Sequence, residues 1–300
     1  MALTKNRPLL GIIAMIGAML LFPFLDAVAK YLGNQGIPVA EIVWARQFFG
    51  ALFLIPLLIK REGVQALRPR DQTLNLARSV LILAATAMFF GALRYQGIAE
   101  TLAIYFVQPL VITVLAPFLL GEHVGIRRWI AVLIGFSGVL IIIRPGFQEL
   151  NIGVLLAFGS GVCSALSLLL TRFLAGSSSA LATTFYNSLF GAVIASVVVI
   201  YFWKTPDQHQ LMMFLLLAAI GTTGNYLTVL ACEYAEVSLL APFGYAEMIN
   251  AVFAGWYFFG DFPDKWTFVG VAILVACAIY ISNRERLKKI EADVADPGRL

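Results

Sequence analysis

About twenty apolar residues in a row are enough to cross a bilayer as a helix, and this chain carries ten such runs in succession. They extend over Leu9 to Leu32, Val39 to Ile59, Thr73 to Leu93, Ile98 to Leu120 and Ile126 to Ile143, then Ile152 to Leu174, Leu181 to Phe202, Leu211 to Cys232, Val237 to Phe259 and Trp266 to Ser282. Lipid offers a peptide group no hydrogen-bond partner, so each run must satisfy its own backbone. That restricts the fold to an all-α integral membrane protein. The connections are short and carry the chain breakers, for example GNQGIP, RPGFQELN and GDFPDK. Only the tail from Asn283 extends beyond the runs, and it is expected to be a solvated, cytoplasmic helix end (284–300). The first run is too long for a signal peptide, and no small-residue cleavage site follows it.

Composition agrees with this reading. The 300 residues are 60% hydrophobic and 13% charged, about half the charged fraction of a soluble domain. Cys163, Cys232 and Cys277 stand singly in apolar runs without CxxC or histidine spacing, which argues against a disulfide framework and a metal site. No cofactor is implied.

The net charge of +4 is a topology signal rather than a nucleic-acid one. Lys5, Arg7, Lys60, Arg61, Arg68, Arg70, Arg127, Arg128, Arg172 and the cationic tail fall on one side of the predicted membrane. Lys30, Arg94, Arg144, Lys204 and Lys265 fall on the other. Cytoplasmic connections carry the excess of Lys and Arg, so both termini are predicted to be cytoplasmic, in a bacterial inner membrane.

The two halves of the chain repeat one another. An offset of 139 residues sets Tyr95 against Tyr234, Ile98 against Val237, and Gly121-Glu122 against Gly260-Asp261. An offset of 141 sets Phe49-Gly50-Ala51 against Phe190-Gly191-Ala192, and one of 142 sets Gly11, Gly17 and Lys30 against Gly153, Gly159 and Arg172. Each half, 1–145 and 146–283, holds five runs. Five is odd, so the second half is predicted to enter the bilayer upside down. Inverted repeats are typical of secondary transporters, whose substrate site lies near the midplane.

The stretch QPLVITVLAPFLLGEHVGIRRWIAVLIGFSGVLIII resembles the end of an EamA-type repeat of the drug/metabolite transporter superfamily. That pattern has a proline about thirteen residues before a Gly-Glu pair, then a glycine-spaced last helix. The second copy departs from it: Met248 stands where the proline would be, and Asp261 replaces the glutamate. Length and halves also look like the bacterial aromatic amino-acid exporter branch. The resemblance implies ten helices around a central cavity that opens alternately to either side. It also implies fourth and ninth helices lining the cavity, and a peripheral last helix in each half.

Four ionisable residues lie inside the runs: Asp26, Arg46, Arg78 and Glu247. Charges at such depth face the protein interior or water rather than lipid. Asp26 and Arg46 lie about 10 Å deep on consecutive antiparallel helices, at about 1.5 Å per residue. They read as an ion pair, structural or gating. Arg78, near the end of its run, reads as a snorkelling anchor.

Gln108 and Glu247 are the same position in the two halves under the 139-residue offset, each about ten residues into its run. They are predicted to meet at the midplane. Pro109, Pro242 and Gly244 would interrupt helical hydrogen bonding beside them. Tyr105, Phe243 and Asn250 share their helix faces at a spacing of three or four, and Phe22, Tyr226 and Tyr245 supply aromatic walls at similar depth. A carboxylate, amides and aromatic walls suit a zwitterion with an apolar side chain, with the glycine pair Gly135 and Gly138 free to pack against the chain or a partner.

The span interiors hold no cluster of Lys or Arg for a phosphorylated substrate. HExxH, GxSxG and DxxD-like patterns are absent from the runs, which disfavours an intramembrane enzyme. The expectation is an exporter of aromatic and other apolar amino acids, its direction coming from the resemblance alone, with no obligate protein partner. The competing expectation is a carrier of another small metabolite or cationic compound, such as S-adenosylmethionine, with Glu247 as counter-charge.

Overall fold

The computed structural model describes residues 8–64, 72–120, 126–143, 151–173, 179–234, 243, 246–277 and 279–280. Among them the regular structure is helical. The helices are α1 (Pro8–Asn34), α2 (Val39–Glu62), α3 (Gln72–Ala92), α4 (Ile98–Tyr105), α5 (Gln108–Leu120) and α6 (Ile126–Ile143). They continue as α7 (Ile152–Phe173), α8 (Ala180–Val199), α9 (Gln208–Tyr234) and α10 (Ala246–Phe259), followed by α11 (Lys265–Cys277).

Local chemistry sets several boundaries. Pro38 precedes α2 and Gly63 ends it with φ +82°, returning its N–H to the Ile59 carbonyl at 3.1 Å. Asn151, Ser179 and Asp264 cap α7, α8 and α11, each side chain accepting from a backbone N–H three residues on. Seven segments among the described residues are long and apolar enough to cross a membrane, with shorter apolar helices at Val132–Ile143 and Lys265–Cys277.

The fourth run is not the continuous helix expected from Ile98 to Leu120. It breaks at Phe106 and Val107, where Val107 N–H bonds back only three residues, to the Ile104 carbonyl. Pro109 explains the position: it has no N–H to give the Tyr105 carbonyl four residues earlier. Gly161 of α7 lies against that freed carbonyl, and a Cβ added there would stand 2.7 Å from the Tyr105 oxygen. The ninth run is described as helix only from Ala246, and Pro242, Gly244 and Tyr245 lie outside the described residues.

Helices of the two halves interleave. α1 packs on α9 and α10, α2 on α8 and α9, α3 on α7 and α8, and α4 on α7 and α10. α2 and α8 cross through small residues: Gly50 faces Ser188 and Thr222, and Gly191 faces the Gln47 amide. Because 47 precedes 50 while its partner 191 follows 188, the crossing is antiparallel. α6 and α11 meet at Gly138 and Gly270, so Gly138 packs within the chain. Small residues permit such close approach where lipid removes the hydrophobic drive between helices. Large apolar side chains instead face outward, with Ile249 77% and Ile200 74% exposed.

At the end of the molecule where α1 finishes, polar ties bind several elements. Lys30 Nζ donates to Asp261 Oδ2 at 2.5 Å and to the Gln96 carbonyl at 3.0 Å, and lies over the Phe259 ring. Arg94 donates to the Ile37 carbonyl, and Glu41 accepts from the Lys204 N–H at 3.1 Å. Fully buried Leu32, Ile37, Leu93 and Ile98 lie in the hydrophobic cluster that these elements share. Arg78, expected to snorkel, is buried and donates to the Thr183 carbonyl of α8 at 3.0 Å. Its role is therefore a tie between α3 and α8.

Candidate functional site

The break between α4 and α5 turns two polar side chains toward α7. Tyr105, the last residue of α4, shares a 2.8 Å hydrogen bond with Ser164 Oγ, and Gln108, the first of α5, donates from Nε2 to the same oxygen at 2.9 Å. Phe89 of α3 meets the Tyr105 ring edge-on at 5.5 Å and 86°. The break thus holds Tyr105 and Gln108 side by side on one anchor.

Charges from three other helices gather around Tyr105. It interacts electrostatically with Glu247 of α10, Asp26 of α1 and Arg46 of α2, and Asp26 in turn with both Glu247 and Arg46. Asp26 is buried, while Arg46, in the second turn of α2, and Glu247, in the first turn of α10, are half-buried.

Asp26 and Arg46 attract one another but are not in direct ion-pair contact; the salt bridge among the described residues is Lys30–Asp261. Arg46 instead donates to Thr86 Oγ1 at 3.3 Å and lies 5.7 Å over the Phe90 ring. Its guanidinium fills a notch at Gly221, where a Cβ would stand 3.0 Å from Nε. So Arg46 is held by α3 and α9, and the Asp26 and Glu247 carboxyls have no hydrogen-bond partner among the described residues. Neither is among the buried polar atoms sealed without a partner.

Other expected site residues sit elsewhere or act differently. Asn250 Nδ2 donates to the Leu20 carbonyl of α1 at 2.6 Å, next to the Pro23 interruption, and so joins α10 to α1. Tyr226 accepts from Arg61 Nη1 at 2.9 Å, at the end of α2 away from the charge cluster. Phe22 packs edge-close on Gly224 of α9, and Phe243 is half-buried. Ser164, Thr86 and Gly161 were not singled out from sequence. The signal for Ser164 was present, because the 142-residue offset equates it with Phe22.

Chemically, two carboxyls, one guanidinium, a phenol and an amide converge between α1, α2, the α4–α5 break, α7 and α10. Such a set has the chemistry to hold an organic cation or zwitterion. Among the described residues no cluster of His, Cys, Asp and Glu has the form of a metal site.

The EamA-like transporter family model matches twice, over residues 9–144 and 151–283. Among curated relatives, the S-adenosylmethionine uptake transporter of Rickettsia prowazekii (strain Madrid E) is 24% identical over 87% of this chain and 88% of its own length. The riboflavin transporter of Vibrio cholerae serotype O1 is 28% identical over 95% of this chain and 96% of its own. The pseudopaline exporter of Pseudomonas aeruginosa (strain UCBPP-PA14) is 22% identical over 92% and 97%. A solved crystal structure, 18% identical, superposes with a TM-score of 0.64 over 91% of this chain and 98% of that one.

Proposed function

This chain is a membrane transporter that belongs to the EamA-like transporter family, and we propose that it carries a small organic cation with a planar aromatic group, of the S-adenosylmethionine class, by alternating access. The observation that carries the reading is the pair of carboxyls without a hydrogen-bond partner among the described residues, buried Asp26 and half-buried Glu247, set against a single, already engaged guanidinium. When both are ionised, two acids and one base leave an excess of negative charge for a cation to neutralise. In a low-dielectric cavity that imbalance discriminates strongly between ligand charges. Phe89 and Phe90, buried against the Tyr105 ring and under the Arg46 guanidinium, fix that side of the site.

The relatives named for S-adenosylmethionine support this class. Those compared carry S-adenosylmethionine, riboflavin or pseudopaline in their names, and none names an aromatic amino acid. The amino-acid exporter reading therefore rests on the resemblance in length and halves and on the polar and aromatic residues of the site, without support from these relatives.

Alternating access is the mode expected of two halves of opposite polarity, which we take to be 1–145 and 146–283. The offset of 141 residues equates Gly50 with Gly191 and Gln47 with Ser188. These residues face one another reciprocally across the antiparallel α2–α8 crossing, which supports a two-fold relation in the membrane plane. The Lys and Arg asymmetry supports cytoplasmic termini in a bacterial inner membrane.

The test is uptake into proteoliposomes of purified protein, with radiolabelled S-adenosylmethionine, riboflavin and phenylalanine in parallel. Saturable S-adenosylmethionine uptake that excess unlabelled compound abolishes is the expected result. Uptake of riboflavin or phenylalanine without S-adenosylmethionine overturns it.

A further inference from the structure

We infer that Ser164 is a specificity-determining positioning residue, which sets the direction of a hydrogen-bond relay so that the midplane amide of Gln108 presents an acceptor to the substrate. The inference rests on the carrier reading above and concerns which part of the substrate that site recognises.

A glutamine amide has a donor end and an acceptor end, and either can face a cavity. The partner of one end decides what the other offers. Gln108 gives Nε2 to Ser164 Oγ, so its Oε1 is left over. Oε1 takes no hydrogen bond among the described residues, and it is not among the buried atoms cut off from water.

Ser164 has one proton and two neighbours, and the charges decide where the proton goes. Tyr105 lies in the field of Glu247 and Asp26, which draws its hydroxyl proton toward the carboxyls. The Tyr105 oxygen then accepts from Ser164 across 2.8 Å, and Ser164 in turn must accept from Gln108 across 2.9 Å. The relay runs Gln108 N–H to Ser164 O–H to the Tyr105 oxygen, which lies in the field of both carboxyls, every link polarising the next. The observed orientation of the amide is the one this direction requires. Oε1 is therefore the end of Gln108 left for the substrate, together with the two carboxyls that act on Tyr105. That is a set of acceptors suited to an ammonium N–H on the substrate, in addition to its fixed positive charge.

The experiment compares S-adenosylmethionine with its deaminated 2-oxo analogue, which keeps the sulfonium and lacks the ammonium, in competition uptake into proteoliposomes. Wild-type protein should prefer the amine by about tenfold, the worth of one charge-assisted hydrogen bond. Ser164→Ala should raise KM for S-adenosylmethionine by a similar factor, keep the maximal rate and abolish the preference. Ser164→Thr, which retains the hydroxyl, should keep it. Tyr105→Phe, which removes the far end of the relay, should also abolish the preference, and it carries the test if Ser164→Ala does not fold. Retention of the preference by Ser164→Ala or by Tyr105→Phe overturns the inference while leaving the carrier reading intact. Failure of wild-type protein to move S-adenosylmethionine overturns both.

Discussion

Lys30 at the end of α1 meets Asp261 in the turn after α10, ammonium to carboxylate oxygen, at 2.5 Å. The lysine side chain is 10% exposed and the aspartate 40%. The same ammonium holds the Gln96 carbonyl between α3 and α4. One side chain thus joins α1 to two connections at one end of the molecule. A carrier that opens there must part them. Lys30→Gln or Asp261→Asn should raise labelling of a cysteine placed at Phe22, in a cysteine-free background, by an impermeant maleimide added on the Lys30 side. The exchanged pair Lys30→Asp with Asp261→Lys should return labelling toward the unsubstituted level. Equal labelling in all four proteins would show that this pair does not close that end.

The two carboxyls differ in surroundings, so their removal should read differently. Glu247→Gln keeps shape and hydrogen-bonding capacity while deleting a charge, and S-adenosylmethionine uptake should fall about tenfold to a hundredfold, the range for one hydrogen bond to a charged group. Asp26→Asn also releases Arg46 from its electrostatic partner, so it should cost at least as much and add affinity for anionic competitors. Wild-type uptake by both Glu247→Gln and Gln108→Ala would remove the midplane pair from the site.

How much of this was legible in the sequence depends on the scale of the signal. Hydropathy marks helices because each must be apolar along most of its length, and Pro109 marks the break because it lacks a donor. The pairing of Gln108 with Glu247 came from a register, and the structure brings both near Tyr105 through side chains on separate helices. Which way a polar side chain points was not legible. Asn250 shares a helix face with Glu247 yet gives its amide to the Leu20 carbonyl of α1. Tyr226 has the right depth by counting, but its hydroxyl meets Arg61. Ser164 carries a register signal, its equivalence to Phe22, but a serine in a transmembrane helix is ordinary until its two hydrogen-bond partners are seen.

The last prediction concerns the break itself. At Gly161 an added Cβ would meet the Tyr105 carbonyl and Val107 Cγ1, each at 2.7 Å, so backbone would have to move. At Gly17, also inside a helix, the nearest atom is Leu227 Cδ1 at 3.5 Å, an ordinary contact. Gly161→Ala should therefore destabilise by about 1–3 kcal/mol through overpacking, whereas Gly17→Ala should be neutral or stabilise by up to about 1 kcal/mol through lost unfolded-state freedom. Thermal unfolding of the two variants in one detergent checks the sign of each. Because Gly161 touches the residue that presents Tyr105, its variant should also lose uptake at temperatures where it remains folded. Gly17→Ala should transport normally. A Gly161→Ala protein with unchanged melting temperature and uptake would mean that α7 does not hold the α4–α5 break in place.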